Sequence, residues 1–231
     1  MKLELSSRKA AFLVVFIALS LAAARVNFSS LVGADSKAFT LFQLIAPIGG
    51  GLFSAAFGAA AALASQLAGI ALYGGDYSLF GMLRLLTPMA AAWYFGSKGN
   101  AVLAVPVVAM TLFWLHPVGM LAPAYALFWL APLAARLAFG GNLFARSLGS
   151  TLTAHAVGTI AFLYTLPSTP AMWNSLLPVT AYERLVFAAG IAVSFVAVST
   201  LLDLISRRWD VSFLSVEKRY SLAPSVANKT G

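Results

Sequence analysis

Few residues in this chain have the means to do chemistry, and most of those stand in apolar surroundings. Arg84 lies between Leu83 and Leu85 inside a long hydrophobic run. A guanidinium presents five N–H donors in a flat fork that matches a carboxylate. Two readings fit it: an anion- or carbonyl-binding group in a pocket, or an interfacial arginine paired with Asp76 or Asp35. His155 sits mid-run in Thr151-Leu152-Thr153-Ala154-His155-Ala156-Val157-Gly158. There an imidazole either contacts a ligand or bonds a neighbouring carbonyl, while the small residues around it suit close helix packing. Glu183 and Arg184 open the last run, Glu183 as a favourable charge at a helix start and Arg184 within reach of a pocket on the same side. Asp203 has its simplest partner in Arg207, one turn on. Asn27, the pair Asp76-Tyr77 and the pair Trp173-Asn174 fall in the short polar segments between runs. Segment 167–181, with Trp173 and three prolines, reads either as a lid or as an aromatic belt at a membrane surface.

None of this has the spacing of an active site. HExxH, Walker A and GxSxG patterns are absent, and no helix carries paired carboxylates. With no cysteine and only His116 and His155, neither a thiolate nor a multi-histidine metal site is expected. No catalytic residue, no metal and no cofactor is therefore assigned, and the chain is not expected to be an enzyme.

The elements that must position these side chains follow from composition. Of 231 residues 61% are hydrophobic and 10% charged, against about 25% charged in soluble domains. Lipid is the solvent such a chain suits. In lipid each backbone amide must be satisfied within its own segment, so apolar runs become helices. Runs occupy 10–24, 39–53, 56–72, 79–95, 101–115, 119–139, 148–166 and 182–205. The expected fold is all-α, a polytopic transmembrane bundle of six to eight membrane helices over residues 1–206. Residues 207–231 are expected as a cytoplasmic tail, a short helical extension followed by a disordered end from about Leu222. The second and third runs read as two helices about a tight turn, because Pro47, Gly49-Gly50-Gly51 and Gly58 punctuate them.

The net charge of +8 would suggest nucleic acid in a soluble protein, but no basic groove or aromatic-interleaved stripe accompanies it. Its distribution follows topology instead. With eight crossings, Lys2, Arg8, Lys9, Lys98, Arg136, Arg146, Arg207, Arg208, Lys218, Arg219 and Lys229 share one side, which the positive-inside rule makes cytoplasmic. Both termini are then cytoplasmic in a multi-pass cell-membrane protein. The first run follows Lys2, Arg8 and Lys9 and closes on Ala22-Ala23-Ala24, as a signal peptide does, but is expected as a retained membrane helix.

The stretch Phe39-Thr40-Leu41-Phe42-Gln43-Leu44-Ile45-Ala46-Pro47-Ile48-Gly49-Gly50-Gly51-Leu52-Phe53, followed by Gly58-Ala59-Ala60-Ala61-Ala62-Leu63-Ala64, resembles helices two and three of the substrate-binding subunits of energy-coupling-factor vitamin transporters. In the first run Ala18-Leu19-Ser20-Leu21-Ala22 is similar to the small-residue surface those subunits present to a coupling partner. The likeness spans roughly residues 10–95. It implies a subunit without ATPase activity that captures a small molecule from outside, with Ala18 and Ala22 against an integral membrane partner and ATPases behind it.

Two functions are carried forward. One is small-molecule uptake, with an outward pocket built from Asn27, Asp76, Tyr77, Arg84, His155, Trp173, Asn174 and Arg184. The other is a structural or assembly subunit of a larger membrane complex, whose polar groups would all be paired helix to helix.

Overall fold

A computed structural model describes residues 7–30 and 38–224; Lys2, Asp35, Lys37 and Lys229 lie outside them. The described chain is all-helical apart from one short antiparallel hairpin, β1 (Asn27–Ser30) with β2 (Ala38–Thr40), in which Asn27 faces Thr40. The hairpin joins α1 (Ser7–Ala23) to α2 (Phe42–Leu52), in a segment expected as plain loop.

The two-residue turn Phe53-Ser54 leads into α3 (Ala55–Tyr73), so the second and third runs are two helices, as their glycines suggested. The Ser54 hydroxyl accepts from the Phe57 N–H at 3.3 Å and caps the new helix. Gly58 and Gly50 make the close return possible: a Cβ on Gly58 would stand 2.1 Å from the Gly50 nitrogen. A Cβ on Gly50 would stand 1.9 Å from the carbonyl oxygen of Ala92. Backbones this close exclude any side chain at the crossing.

The run 79–95 forms two helices where one was expected, α4 (Leu79–Arg84) and α5 (Leu86–Gly96), with the break at Leu85. Pro88 is the cause. It has no N–H to give the Arg84 carbonyl four residues back. The Thr87 hydroxyl donates to that carbonyl instead, and Gln66 of α3 donates through Nε2 to the Leu85 carbonyl at 2.9 Å.

After α6 (Ala104–Leu115) the run 119–139 departs furthest from expectation. It is not a spanning helix but α7 (Pro117–Met120), a 3₁₀ stretch (Pro123–Trp129) and α8 (Leu130–Leu137). Pro117, Pro123 and Pro132 interrupt the ladder, and eight residues of α8 reach only about 12 Å. Arg136, at the end of α8, donates to the carbonyls of Ser97 and Gly99.

α9 (Leu143–Thr165) runs through the centre, packed against α4, α5, α6, α8 and the last long helix, α11 (Leu177–Ser206). Its Ser150 hydroxyl donates to the Ala91 carbonyl at 2.8 Å. α10 (Pro170–Ser175) lies in the segment read as lid or belt. Among the described helices α3 and α11 are long and apolar enough to cross a membrane.

The tail is not a helical extension. Beyond Ser206 it turns back over the bundle, burying Val211 and Leu214 in one core cluster with Phe16, Ile48, Phe95 and Phe195. The Ser215 N–H donates to the Leu52 carbonyl at 2.7 Å, and Glu217 meets Arg146 at 2.6 Å. Apolar residues at positions 211, 213, 214 and 216 supply a reason for docking that a count of charges conceals. A second core cluster, around Phe113, Tyr125, Trp129, Phe162 and Trp173, occupies the other part of the bundle.

Candidate functional site

Beside that second cluster a cavity of about 300 Å³ opens between α2, α3, α4, α5, α9, α10 and α11. This is the lower end of the range for ligand pockets. Of the eight residues expected at a site, Asp76, Arg84, His155, Trp173 and Arg184 line it. Asn27 is exposed on β1, while Tyr77 and Asn174 are exposed and do not line the cavity.

Asp76 and Arg84 flank α4. The Asp76 carboxylate accepts from the Ser78 N–H at 3.0 Å, and the Ser78 hydroxyl accepts from Gly81 N–H at 3.0 Å to cap the helix. Gly81 is required, since a Cβ there would meet the Asp76 carbonyl oxygen at 2.2 Å. One turn later the break at Leu85 leaves Arg84 at a helix end facing the cavity. Its guanidinium stands 5.7 Å from the centre of the Phe80 ring and feels the charge of Asp76. Among the described residues it makes no hydrogen bond and no ion pair.

Arg184 is held differently. It is 5% exposed, meets Glu183 at 3.3 Å and the Thr151 hydroxyl at 3.4 Å, and lies over the Phe187 ring. The adjacent carboxylate serves as counter-ion; α11 starts at Leu177, so Glu183 lies in its second turn and not at the helix start expected of it.

His155 is the centre of a directed chain. The Trp129 indole N–H donates to Nδ1 at 3.2 Å, so Nδ1 carries no proton. The other nitrogen, Nε2, then bears the hydrogen and donates to the Tyr125 hydroxyl at 3.1 Å. The Tyr125 hydroxyl shares a further hydrogen bond with the Thr180 hydroxyl at 3.0 Å. Of the two readings of His155 the structural one describes its hydrogen bonds, though its partners are side chains and not a carbonyl. The ring still forms part of the cavity wall.

Trp173 is buried, with its N–H given to Ser168 at 3.2 Å and its ring edge-on to Phe113, Tyr125 and Phe162. It walls the cavity and does not form an exposed belt.

Gln43, Gln66, Tyr125, Thr151 and Thr159 also line the cavity and were not singled out from sequence. For the two glutamines the signal was present: an amide within an apolar run is costly in lipid and therefore positioned. Gln43 accepts from the Thr40 N–H at 2.7 Å and so ties the hairpin to α2. Tyr125 had no such signal, because its run read as a membrane helix.

The expected partner face is open: Ala18 and Ala22 are exposed on α1 beside Val14, Val15 and Leu19. Among the described residues no group of three His, Cys, Asp or Glu is placed to hold a metal. The site combines arginine donors, one carboxylate, two amides and an aromatic wall, a set for binding an amphipathic small molecule. Compared with known protein families, curated proteins and solved structures, the chain matches none.

Proposed function

We propose that this chain is a membrane-embedded small-molecule uptake subunit that binds its substrate in an outward-facing pocket and draws energy from partner subunits. The observation that carries the reading is the cavity itself. Five widely separated residues, Asp76, Arg84, His155, Trp173 and Arg184, converge on it, and aromatic side chains close it. A ligand accounts for an arginine that faces this cavity with no hydrogen-bond partner among the described residues better than a purely structural role does.

The membrane setting has its own support. Only 22% of the most apolar window of α3 and 33% of that of α11 is buried, which favours a lipid setting over that of core helices in a water-soluble fold. Val14, Val15, Leu19, Val107, Val108, Leu115 and Val193 are exposed on the outer helices, a belt that water would penalise. We read a polytopic bundle of six to eight membrane helices, some broken or short, in the cell membrane with both termini cytoplasmic. The 3₁₀ stretch Pro123–Trp129 bonds its backbone locally and buries Tyr125, Ala126 and Trp129 against the bundle, which fits a segment at membrane depth. The exposed Ala18 and Ala22 on α1 fit a coupling partner, in keeping with the resemblance to energy-coupling-factor substrate-binding subunits, and ATPases would stand behind that partner.

The paired His155 chain favours the alternative of a structural or assembly subunit, since its polar groups satisfy one another helix to helix. Native mass spectrometry of protein purified in mild detergent separates the two readings. A small ligand retained by the chain is expected; stable complexes without any ligand, undisturbed when Ala154 is replaced by Phe to fill the cavity, would favour the structural role. For topology, single cysteines at Ser97 and Ser175 are expected to react with an impermeant thiol reagent in intact cells only at Ser175.

A further inference from the structure

A second cavity, of about 280 Å³, adjoins the first. Gln43, Gln66, Ile70, Arg84 and Leu85 line both and form the partition between them. Its outer rim is exposed at Arg25 and Tyr73, whose ring lies 4.4 Å from the Arg25 guanidinium. Among the described residues lining this second space, Arg25 and Arg84 are the only charged ones. A chamber with two guanidiniums and no carboxylate among its described lining residues attracts anions. At the partition Arg84 has donors to spare, while deeper in the first cavity Arg184 is already answered by Glu183. The far wall beyond Arg84 is made of the rings of Phe80, Tyr125, Phe162 and Trp173.

We infer that the ligand is a small organic carboxylate with a flat apolar body, which reaches the first cavity by way of the second, attracted by Arg25 and then held by Arg84. This rests on the reading of the first cavity as a binding site. The carboxylate takes the two-pronged hydrogen bond that Arg84 has free, and the ring system stacks among the aromatic side chains. Arg25 acts on the rate of arrival and Arg84 on the strength of holding, because a charge at an exposed rim steers while one in a partly desolvated wall binds.

The test uses 1-naphthoate and its neutral amide, 1-naphthamide, with full-length protein in phosphatidylcholine nanodiscs and tryptophan fluorescence as the signal. Naphthoate is expected to bind at least about tenfold more tightly than naphthamide. Arg84→Gln should weaken naphthoate about ten- to a hundredfold, the range for a hydrogen bond to a charged group. Arg84→Lys, which keeps the charge but not the fork, should also weaken naphthoate and leave naphthamide unchanged, and it serves if the glutamine variant fails to fold. Arg25→Gln should slow association several-fold at low salt, lose that difference at high salt, and leave the dissociation rate alone. Equal binding of the two compounds overturns the carboxylate assignment, and unaltered association in Arg25→Gln overturns the route. If naphthoate binding falls tenfold when phosphatidylglycerol is added to the nanodisc, the anion is a lipid headgroup and the proposal fails. If neither naphthoate, benzoate, biphenyl-4-carboxylate nor their amides bind, the cavity reading itself falls and takes this inference with it.

Discussion

Arg84 and Arg146 are the same side chain finished in two ways. Arg146 of α9 is set among the rings of Phe95, Phe195 and Tyr220, at 4.2, 4.8 and 5.9 Å, with the Glu217 carboxylate at 2.6 Å. The protein supplies both its counter-ion and its aromatic walls. Arg84 has a ring nearby and a carboxylate within electrostatic reach, yet no partner at hydrogen-bond distance among the described residues. Around Arg146 the space is filled by the returning tail; around Arg84 it is left as cavity. Arg146 is enclosed by rings and a carboxylate even though its Nε and Nη2 find no hydrogen-bond partner, whereas Arg84 stands at a cavity that, on the proposed reading, a ligand fills.

The contrast is sharpest under substitution. Arg146→Met should destabilise the protein by about 2 kcal/mol, less than the loss at a fully enclosed pair because Glu217 keeps some solvent. Thermal unfolding in detergent reads this, and limited proteolysis should show the tail beyond Ser206 released. An unchanged midpoint would mean that the clasp contributes nothing.

The His155 chain provides the second test, as a polar group closed by protein. Trp129→Phe removes the donor to Nδ1 and leaves a buried acceptor unanswered, at a cost of about 1–3 kcal/mol. Chemical denaturation of the variant in detergent should show that loss, and a neutral outcome would place a water or ligand donor there instead.

Arg84 should behave in the opposite sense. A double-mutant cycle of Arg84→Gln with Asp76→Asn, read by thermal stability, should give a coupling below about 0.5 kcal/mol, the value for residues that share no direct bond. Strong coupling would make Arg84 a structural arginine and erase its difference from Arg146.

The smallest effect belongs to the exposed end of the tail. Hydrogen bonds from Ser212, side chain first and then backbone, hold the Asp210 carboxyl below the usual aspartate range, with a lesser push from Arg8 at 3.1 Å. A lowered folded-state value means that this stabilisation is present above the unfolded value, about 3.9, and is lost as pH falls through the lower one. Asp210→Asn should therefore lower the melting temperature slightly at neutral pH and rejoin the parent protein once pH falls below the lowered value, which flattens the acid side of the profile.

How much of this was legible beforehand depended on whether the cause was local. The α2–α3 turn was, because Gly49–Gly51 and Gly58 announce a close approach whatever the partner. The pocket's charged members were legible too, since an arginine in an apolar run has to be answered. The break at Leu85 was less so: Pro88 is visible in the sequence, but the groups that replace the lost bond come from Thr87 and from Gln66 on another helix. Run 119–139 misled because hydropathy records how apolar a stretch is and not whether its backbone can close a ladder past Pro123 and Pro132. Trp173 shows the same limit for side chains. A tryptophan has the same composition in a belt and in a wall, and only its neighbours distinguish them.

The bond between the Ser215 N–H and the Leu52 carbonyl also carries a consequence for how the protein is made. Its two ends are synthesised 163 residues apart. At roughly 5–20 residues per second the carbonyl waits on the order of ten to thirty seconds for its donor to leave the ribosome. A peptide oxygen left open that long cannot rest in hydrocarbon. If the chain inserts into a bilayer as proposed, the bend after α2 resides at a hydrated face during insertion, on the same side as the emerging tail, and any nascent chain halted short of Ser215 keeps that corner wet.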